Sequence, residues 1–230
     1  MGRNAAAKNQ PAGGGAIRLG RPPRELAALI ENRILDAAAK VFLERGFEAA
    51  SMDEIADVAR AGKPTIYARF PGKEALFGAV MAHRLRQKLE ESVVASGSTL
   101  EERLATIATA LLHKVLDPEW VALLRWTIAE ARRFPDLARS VNRMARERGT
   151  EAIAGILAEL AGSDPSLPLP AFAADKINAT TQRFVHLVVL PMLIRALFGE
   201  DLAVLHAEIG PHVSQAVSFF LAGCRHGGVD

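Results

Sequence analysis

Nothing in this chain narrows its fold as much as SMDEIADVARAGKPTIYARFPGKEALF, the stretch from Ser51 to Phe77. It reads as two short helices joined by a tight turn, with a third helix starting straight after. Ser51-Met52-Asp53-Glu54 has the pattern of a capping box, in which the serine hydroxyl accepts from the backbone N–H three residues on and the glutamate reaches back. Pro64 falls in the first turn of the next helix, where a missing N–H does little harm, and Pro71-Gly72 stops that helix. From Arg60 to Lys73 there are four basic residues, Arg60, Lys63, Arg69 and Lys73, and no Asp or Glu. A short, acid-free helix carrying an aromatic hydroxyl, Tyr67, suits the edge of a DNA groove and its phosphates.

Helical periodicity extends on both sides. Residues 1–24 are rich in Gly, Ala, Pro and Arg and show no period, which predicts a disordered basic arm. From Glu25, Leu26, Leu29/Ile30, Ile34, Ala37/Ala38 and Val41/Phe42 recur at steps of three and four as far as Gly46, an amphipathic helix with a glycine stop. The next helix is expected to present Ile55 and Val58/Ala59 to it, and the one from Lys63 to Phe70 to bury Ile66 and Phe70. A long helix then runs from Lys73 to about Val94, followed by helices near 99–116, 119–133, 136–161, 171–198 and 201–223. Gly210-Pro211 should bend the last and Pro191 kink the one before. No alternating apolar/polar run suggests a strand, and no repeat of 20–50 residues suggests a solenoid. The expectation is an all-α protein of about nine helices: a helix–turn–helix head over 25–72 and a helical body over 73–230.

Composition excludes several classes. Half of the residues are hydrophobic but only 6% are aromatic, a bias that favours helix over strand. No uninterrupted apolar run has the length of a membrane span, and the basic N-terminus lacks an apolar segment of signal-peptide length, so no membrane partner is expected. The single cysteine, Cys224, rules out an internal disulfide framework and fits a reducing cytoplasm. The net charge of +2 conceals a gradient, because residues 1–24 carry Arg3, Lys8, Arg18, Arg21 and Arg24 without an acid. Affinity for polyanions therefore belongs to the N-terminal end.

Over about residues 30–80, through ILDAAAKVFLERGFEAASMDEIA and KPTIYARFPGKEALF, the chain resembles the TetR family of bacterial transcription regulators. Helix–turn–helix, then Tyr67-x-x-Phe70, then Lys73-Glu74-Ala75-Leu76-Phe77 at this spacing is a specific combination. The resemblance implies that the helix starting at Lys63 enters the major groove of double-stranded operator DNA as half of a symmetric dimer. Lys63, Pro64, Thr65, Tyr67 and Ala68 map to its groove-facing positions. Lys63 can donate to phosphate or guanine, Thr65 can use its hydroxyl or methyl group, and Pro64 and Ala68 offer apolar contact. Tyr67 is assigned to a phosphate, as are Ser51 and Lys73 at helix N-termini. Arg69 and Arg60 are divided between phosphate contact and solvated surface charge. One departure stands out. Members of the family usually carry Gly-Val-Ser in the turn, where this chain has Arg60-Ala61-Gly62. Gly62 can still cap the helix, but Arg60 would be strained if its φ is positive. In the arm, Gly20-Arg21-Pro22 resembles the core of a minor-groove hook, with Arg21 as the reading residue; the alternative is a flexible basic tail that only aids solubility.

For the body, the resemblance implies dimerisation and an inducer pocket. Residues 171–198 and 201–223 are the expected homodimer interface, through Phe184, Leu187, Val188, Leu190 and Leu193/Ile194 on one helix. The other contributes Leu202, Leu205, Ile209, Val213, Val217 and Phe220/Leu221, although a single-chain core would explain these stripes too. Polar or aromatic residues within apolar helices mark the candidate pocket for a small, largely apolar effector: His113, Trp120, Trp126, Glu130, Asn178, Gln182 and His186. His206-x-Glu208-x-x-x-His212 superficially resembles a metal cluster, but Gly210-Pro211 interrupts its spacing and no second cluster completes it. No catalytic constellation, cofactor or metal is expected. The reading is a cytoplasmic, ligand-released repressor, with a ligand-independent regulator or an activator as the alternative.

Overall fold

The structure, a computed structural model, describes residues 24–90, 95–163 and 170–225. Among them are nine α-helices and one short 3-10 turn, and no strand. The first three helices are α1 (Arg24–Ala49), α2 (Met52–Val58) and α3 (Lys63–Tyr67). Regular geometry in α1 breaks at Gly46, whose φ of 75° and ψ of 162° only glycine adopts without strain. Its buried face starts at Ile34; Leu26 and Leu29 are exposed, so the apolar period begins before the core does. In α2, Ser51 Oγ accepts from the Glu54 N–H at 3.1 Å. The Glu54 carboxylate takes the Arg45 Nε instead of reaching back. Ile55 and Ala59 are buried, but Val58, expected beside them, is 46% exposed.

The α3 helix is shorter than the expected Lys63–Phe70. It closes at Ala68, and the chain turns through Arg69 to bury Phe70 under the head. Pro71 supplies the reason, since its ring disfavours helical geometry at the preceding residue.

The remaining elements are α4 (Lys73–Glu90), α5 (Leu100–Val115), α6 (Pro118–Ala129), α7 (Pro135–Ser163), a 3-10 turn at Pro170–Phe172, α8 (Ile177–Leu197) and α9 (Leu202–Arg225). Thr99 and Glu102 form a reciprocal capping box on α5, and Asp117 caps α6 through the Trp120 N–H. The α6 helix ends four residues before the expected 133, its backbone turning over Glu130–Phe134. The α8 helix starts at Ile177, not 171, because the chain first makes the 3-10 turn that buries Ala171. Both α8 and α9 continue through Pro191 and Pro211.

Two buried clusters result. One contains Ile34, Phe42, Phe47, Ile55, Ile66, Phe77 and Met81, and is completed by Trp120, Leu123 and Val141 from α6 and α7. The other is mostly aliphatic, built chiefly from α5, α7, α8 and α9 around Leu104, Ile107, Leu112, Leu157, Val188, Val213 and Val217, with Phe184 and Phe220 among them. The boundary expected at 72/73 is therefore not a boundary of burial: α4 and α6 belong to the head's core as well. The helix α8 is long and apolar enough, by length and composition, to cross a membrane, although it holds no unbroken apolar run. Its Phe184, Val188 and Met192 pack instead within the second cluster.

Candidate nucleic-acid interface and body cavity

The α3 helix stands on the head with Ile66 as its single fully buried residue and its other side chains turned outward. Gly62 is its N-cap with extended backbone (φ −63°, ψ 138°), as a capping glycine allows. Lys63, Pro64, Tyr67 and Ala68 are exposed and Thr65 is half-buried. Tyr67 is 50% exposed. Arg69 donates to the Thr65 carbonyl at 3.2 Å, folding its guanidinium back over the helix.

Two of the cations have partners that the linear pattern does not disclose. Lys63 Nζ lies 2.8 Å from Asp53 Oδ2, and this hydrogen-bonded carboxylate raises the ammonium's pKa above its ordinary value. Lys73 was expected at a phosphate. Its ammonium instead donates to the carbonyls of Glu48 and Ala50, at 3.0 Å each, and lies 4.5 Å from the Phe47 ring centroid. It thus closes the C-terminal end of α1, where carbonyls lack helical partners. Arg60 has a φ of 48°, the one positive value at a non-glycine position among the described residues. Arg33 Nη2 holds its carbonyl at 3.4 Å. The strained turn foreseen from Arg60-Ala61-Gly62 is present, with the side chain exposed beside α3. Ser51 is exposed, and its hydroxyl hydrogen is not used by the cap. Arg21 lies outside the described residues.

The body encloses a cavity of about 550 Å³ between α4, α5, α6, α7 and α8. Of the seven pocket candidates, Trp120, Gln182 and His186 line it. Trp126 does not. Its ring packs 4.2 Å from the centroids of both Phe47 and Phe77, bolting α6 to the head. His113 faces His206, with the two Nδ1 atoms 3.2 Å apart. Glu130 caps the end of α6, and Asn178, one turn before Gln182, is exposed outside the cavity. The suspected metal cluster is dispersed: Glu208 is held by Arg195, and His212 Nε2 lies 2.8 Å from the Val188 carbonyl.

Sequence reasoning missed the α7 wall, which contributes Asn142, Arg146 and Thr150. The signal was available, because these three recur every four residues just as Gln182 and His186 do. The same α6 residues that flank Trp126, namely Leu124, Thr127 and Ile128, also line the cavity, so one helix touches both the cavity and the head. A second link is the ion pair of Arg133 with Glu48, which joins the end of α6 to the end of α1.

A head that presents a short helix–turn–helix above a hollow helical body defines a DNA-binding transcriptional regulator. Residues 34–80 match the description "Bacterial regulatory proteins, tetR family" and residues 102–224 match "AefR-like transcriptional repressor, C-terminal domain". The chain belongs to the TetR family of transcriptional regulators. It is 28% identical to a TetR-family regulator from Mesorhizobium loti whose crystal structure superposes with a TM-score of 0.71, over 85% of this chain and 96% of that one. It is 29% identical to the flavonoid-responsive regulator FrrA, with a TM-score of 0.63, over 85% of this chain and 97% of that one. The HTH-type transcriptional activator FasR of Mycolicibacterium smegmatis is 43% identical over 74 residues, 32% of each protein. The repressor ComR of Escherichia coli is 35% identical over 82 residues, 34% of this chain and 39% of that protein. The chain thus spans about a third of the length of these two curated relatives. All of these proteins are transcriptional regulators, and the chain is a regulator, not an enzyme.

Proposed function

We propose that this protein is a cytoplasmic, homodimeric repressor that binds a palindromic operator and leaves it when a small molecule fills the body cavity. The observation that carries the reading is the double attachment of α6, which walls the cavity through Leu124 and Thr127 and grips the head through Trp126. A ligand that displaces α6 changes the tilt of the head and the spacing of two α3 helices in a dimer. In the bound state Lys63, Pro64, Thr65, Tyr67 and Ala68 face the major groove, while Ser51, Arg60 and Arg69 meet phosphates, with the basic arm around Arg21 added in the minor groove. Lys73 acts there through the backbone N–H groups at the start of α4. The division of labour remains head over 25–72 and regulatory body over 73–230.

Dimerisation through α8 and α9 is supported by their outer faces. The stripe of Leu205, Ile209, Val213 and Val217 expected at the interface is buried within the single chain. What remains exposed is Leu190, Ile194 and Phe198 on α8 and Val204 and Phe219 on α9, with Phe198 at 91% and Phe219 at 72%. Ala203, Ala207, Gly210, Ser214 and Ser218 on the exposed side of α9 permit close approach of a second helix pair. Such a set of large apolar side chains facing water marks an interaction surface. Repression is favoured over activation by the C-terminal match to a repressor domain, and ligand response by the likeness to a regulator named for flavonoids.

Selection of bound sequences from a random DNA library by the full-length protein tests the reading. A recovered palindrome with half-sites one helical turn apart, about 10 bp, supports it. No enriched motif from a folded dimer would sink it.

A further inference from the structure

The cavity wall is polarised. The helices α7 and α8 pack against each other, and the 3-10 turn at Pro170–Phe172, just before α8, contacts both, so the late part of α7 lies beside the early part of α8. Four polar lining residues come from the middle of α7 and the first half of α8, Arg146 and Thr150 on α7 and Gln182 and His186 on α8; the others are Asn142 one turn before Arg146, Thr127 on α6, and Lys88 and Lys114 on α4 and α5. Toward the other ends of these two helices the lining is largely apolar, with Val141 early in α7 and Leu193 and Leu197 late in α8, Asn142 being the exception. The Arg125 guanidinium, which donates to the Ala196 carbonyl, brings the middle of α6 to that apolar end.

The ionic lining residues are Lys88, Lys114 and Arg146, and no acid lines the cavity. Lys88 is neutralised by Asp117 at 3.2 Å, and Lys114 donates to the Lys88 carbonyl at 2.6 Å. Arg146 has neither an ion pair nor a hydrogen bond among the described residues and sits, exposed, where the cavity meets solvent. A planar guanidinium in that position recognises a carboxylate or phosphate in a forked geometry. Because it lies at the mouth, an anion bound there keeps part of its hydration and avoids the cost of full burial. An apolar tail would displace solvent from the Leu193 end.

Building on the effector reading above, we propose that the cavity takes an organic anion with an apolar tail, its anionic group held between Arg146 and His186 and its tail directed toward Leu193 and Leu197. Gln182 and Thr150 complete the anion's hydrogen bonds. A cationic amphiphile of the same length is rejected by the unpaired guanidinium.

Titration calorimetry of the full-length protein with octanoate, octan-1-ol and octyltrimethylammonium tests this, alongside release of the selected operator. Octanoate should bind about tenfold or more tightly than octan-1-ol, the worth of one charge-assisted hydrogen bond, and the ammonium should bind least. In Arg146→Gln, an exposed change that leaves the core intact, octanoate should weaken about tenfold while octan-1-ol is unaffected. Equal binding of octanoate and octan-1-ol to the unaltered protein overturns the anion assignment and leaves the effector cavity standing. Loss of both ligands in Arg146→Gln also overturns it. Binding of none of the three, with no release of DNA, removes the effector reading itself.

Discussion

The head and the body solve the same packing problem in opposite ways. The head is solid: Phe42, Phe47, Phe77, Trp126 and Phe134 interlock with ring centroids 4.2 to 5.7 Å apart. The body is mostly aliphatic and hollow, with a void of about 550 Å³ among helices otherwise closely packed. Large rings fill space with few rotatable bonds and so fix a surface, whereas an unfilled interior forgoes dispersion contacts that a ligand can restore. Dense aromatic packing lies under the helix–turn–helix, and incomplete packing lies in the body.

The largest test of this contrast is Trp126→Ala. Removing the ring should cost about 3 kcal/mol and lower the melting of the head ahead of the body, read by calorimetry as two separating transitions. A single transition shifted as a whole would instead make the two cores one cooperative unit and erase the distinction. Arg60→Gly comes next. Relief of the left-handed backbone should stabilise the head by about 1 kcal/mol, while loss of the cation weakens operator binding; a protein that melts lower shows that the Arg33 bond to the Arg60 carbonyl outweighs the strain. Asp53→Asn frees Lys63 and should tighten binding to unrelated DNA by about twofold, the small effect expected of an exposed pair. Unchanged affinity for unrelated DNA would make the Lys63–Asp53 pair a surface incident.

The smallest effect concerns pH. His83 on α4 is buried in the head, 3.5 Å from Asp36, and its Nδ1 has no partner. Burial lowers its pKa below 6.5, with Asp36 opposing the shift. Below that value the unfolded chain binds a proton that the folded head refuses, so stability is complete above pH 6.5 and declines as pH falls toward the folded pKa. Thermal melting from pH 7.5 to 5.5 should fall for the unaltered protein and flatten for His83→Gln. A parallel slope in both would assign the decline elsewhere.

Much of the head was readable because its signals are local. A cap such as Ser51, a stop such as Gly46 and a breaker such as Pro71 act within a turn of their own position. Short-range periodicity also marked Ile55, Ile66 and Phe70 as buried. The premature end of α3 was legible too, once the restriction that Pro71 places on Phe70 is applied. The body was less legible. On α9, periodicity located the apolar stripe but could not say whether Val213 faces its own chain or another, since both are equally dry.

By itself, then, the sequence determined the helices, their order and the place of the helix–turn–helix, because backbone sterics, capping and charge along the chain are properties of neighbours. Only the tertiary structure decided which partner each side chain meets. Lys73 closes α1 across the head, Lys63 is paired with Asp53 from the preceding helix, and Trp126 leaves the cavity for the head. The cavity itself is the space left between five helices, and its unpaired Arg146 acquires meaning only from what stands opposite. Such contacts are set by how helix faces pack, and linear spacing carries no record of a void.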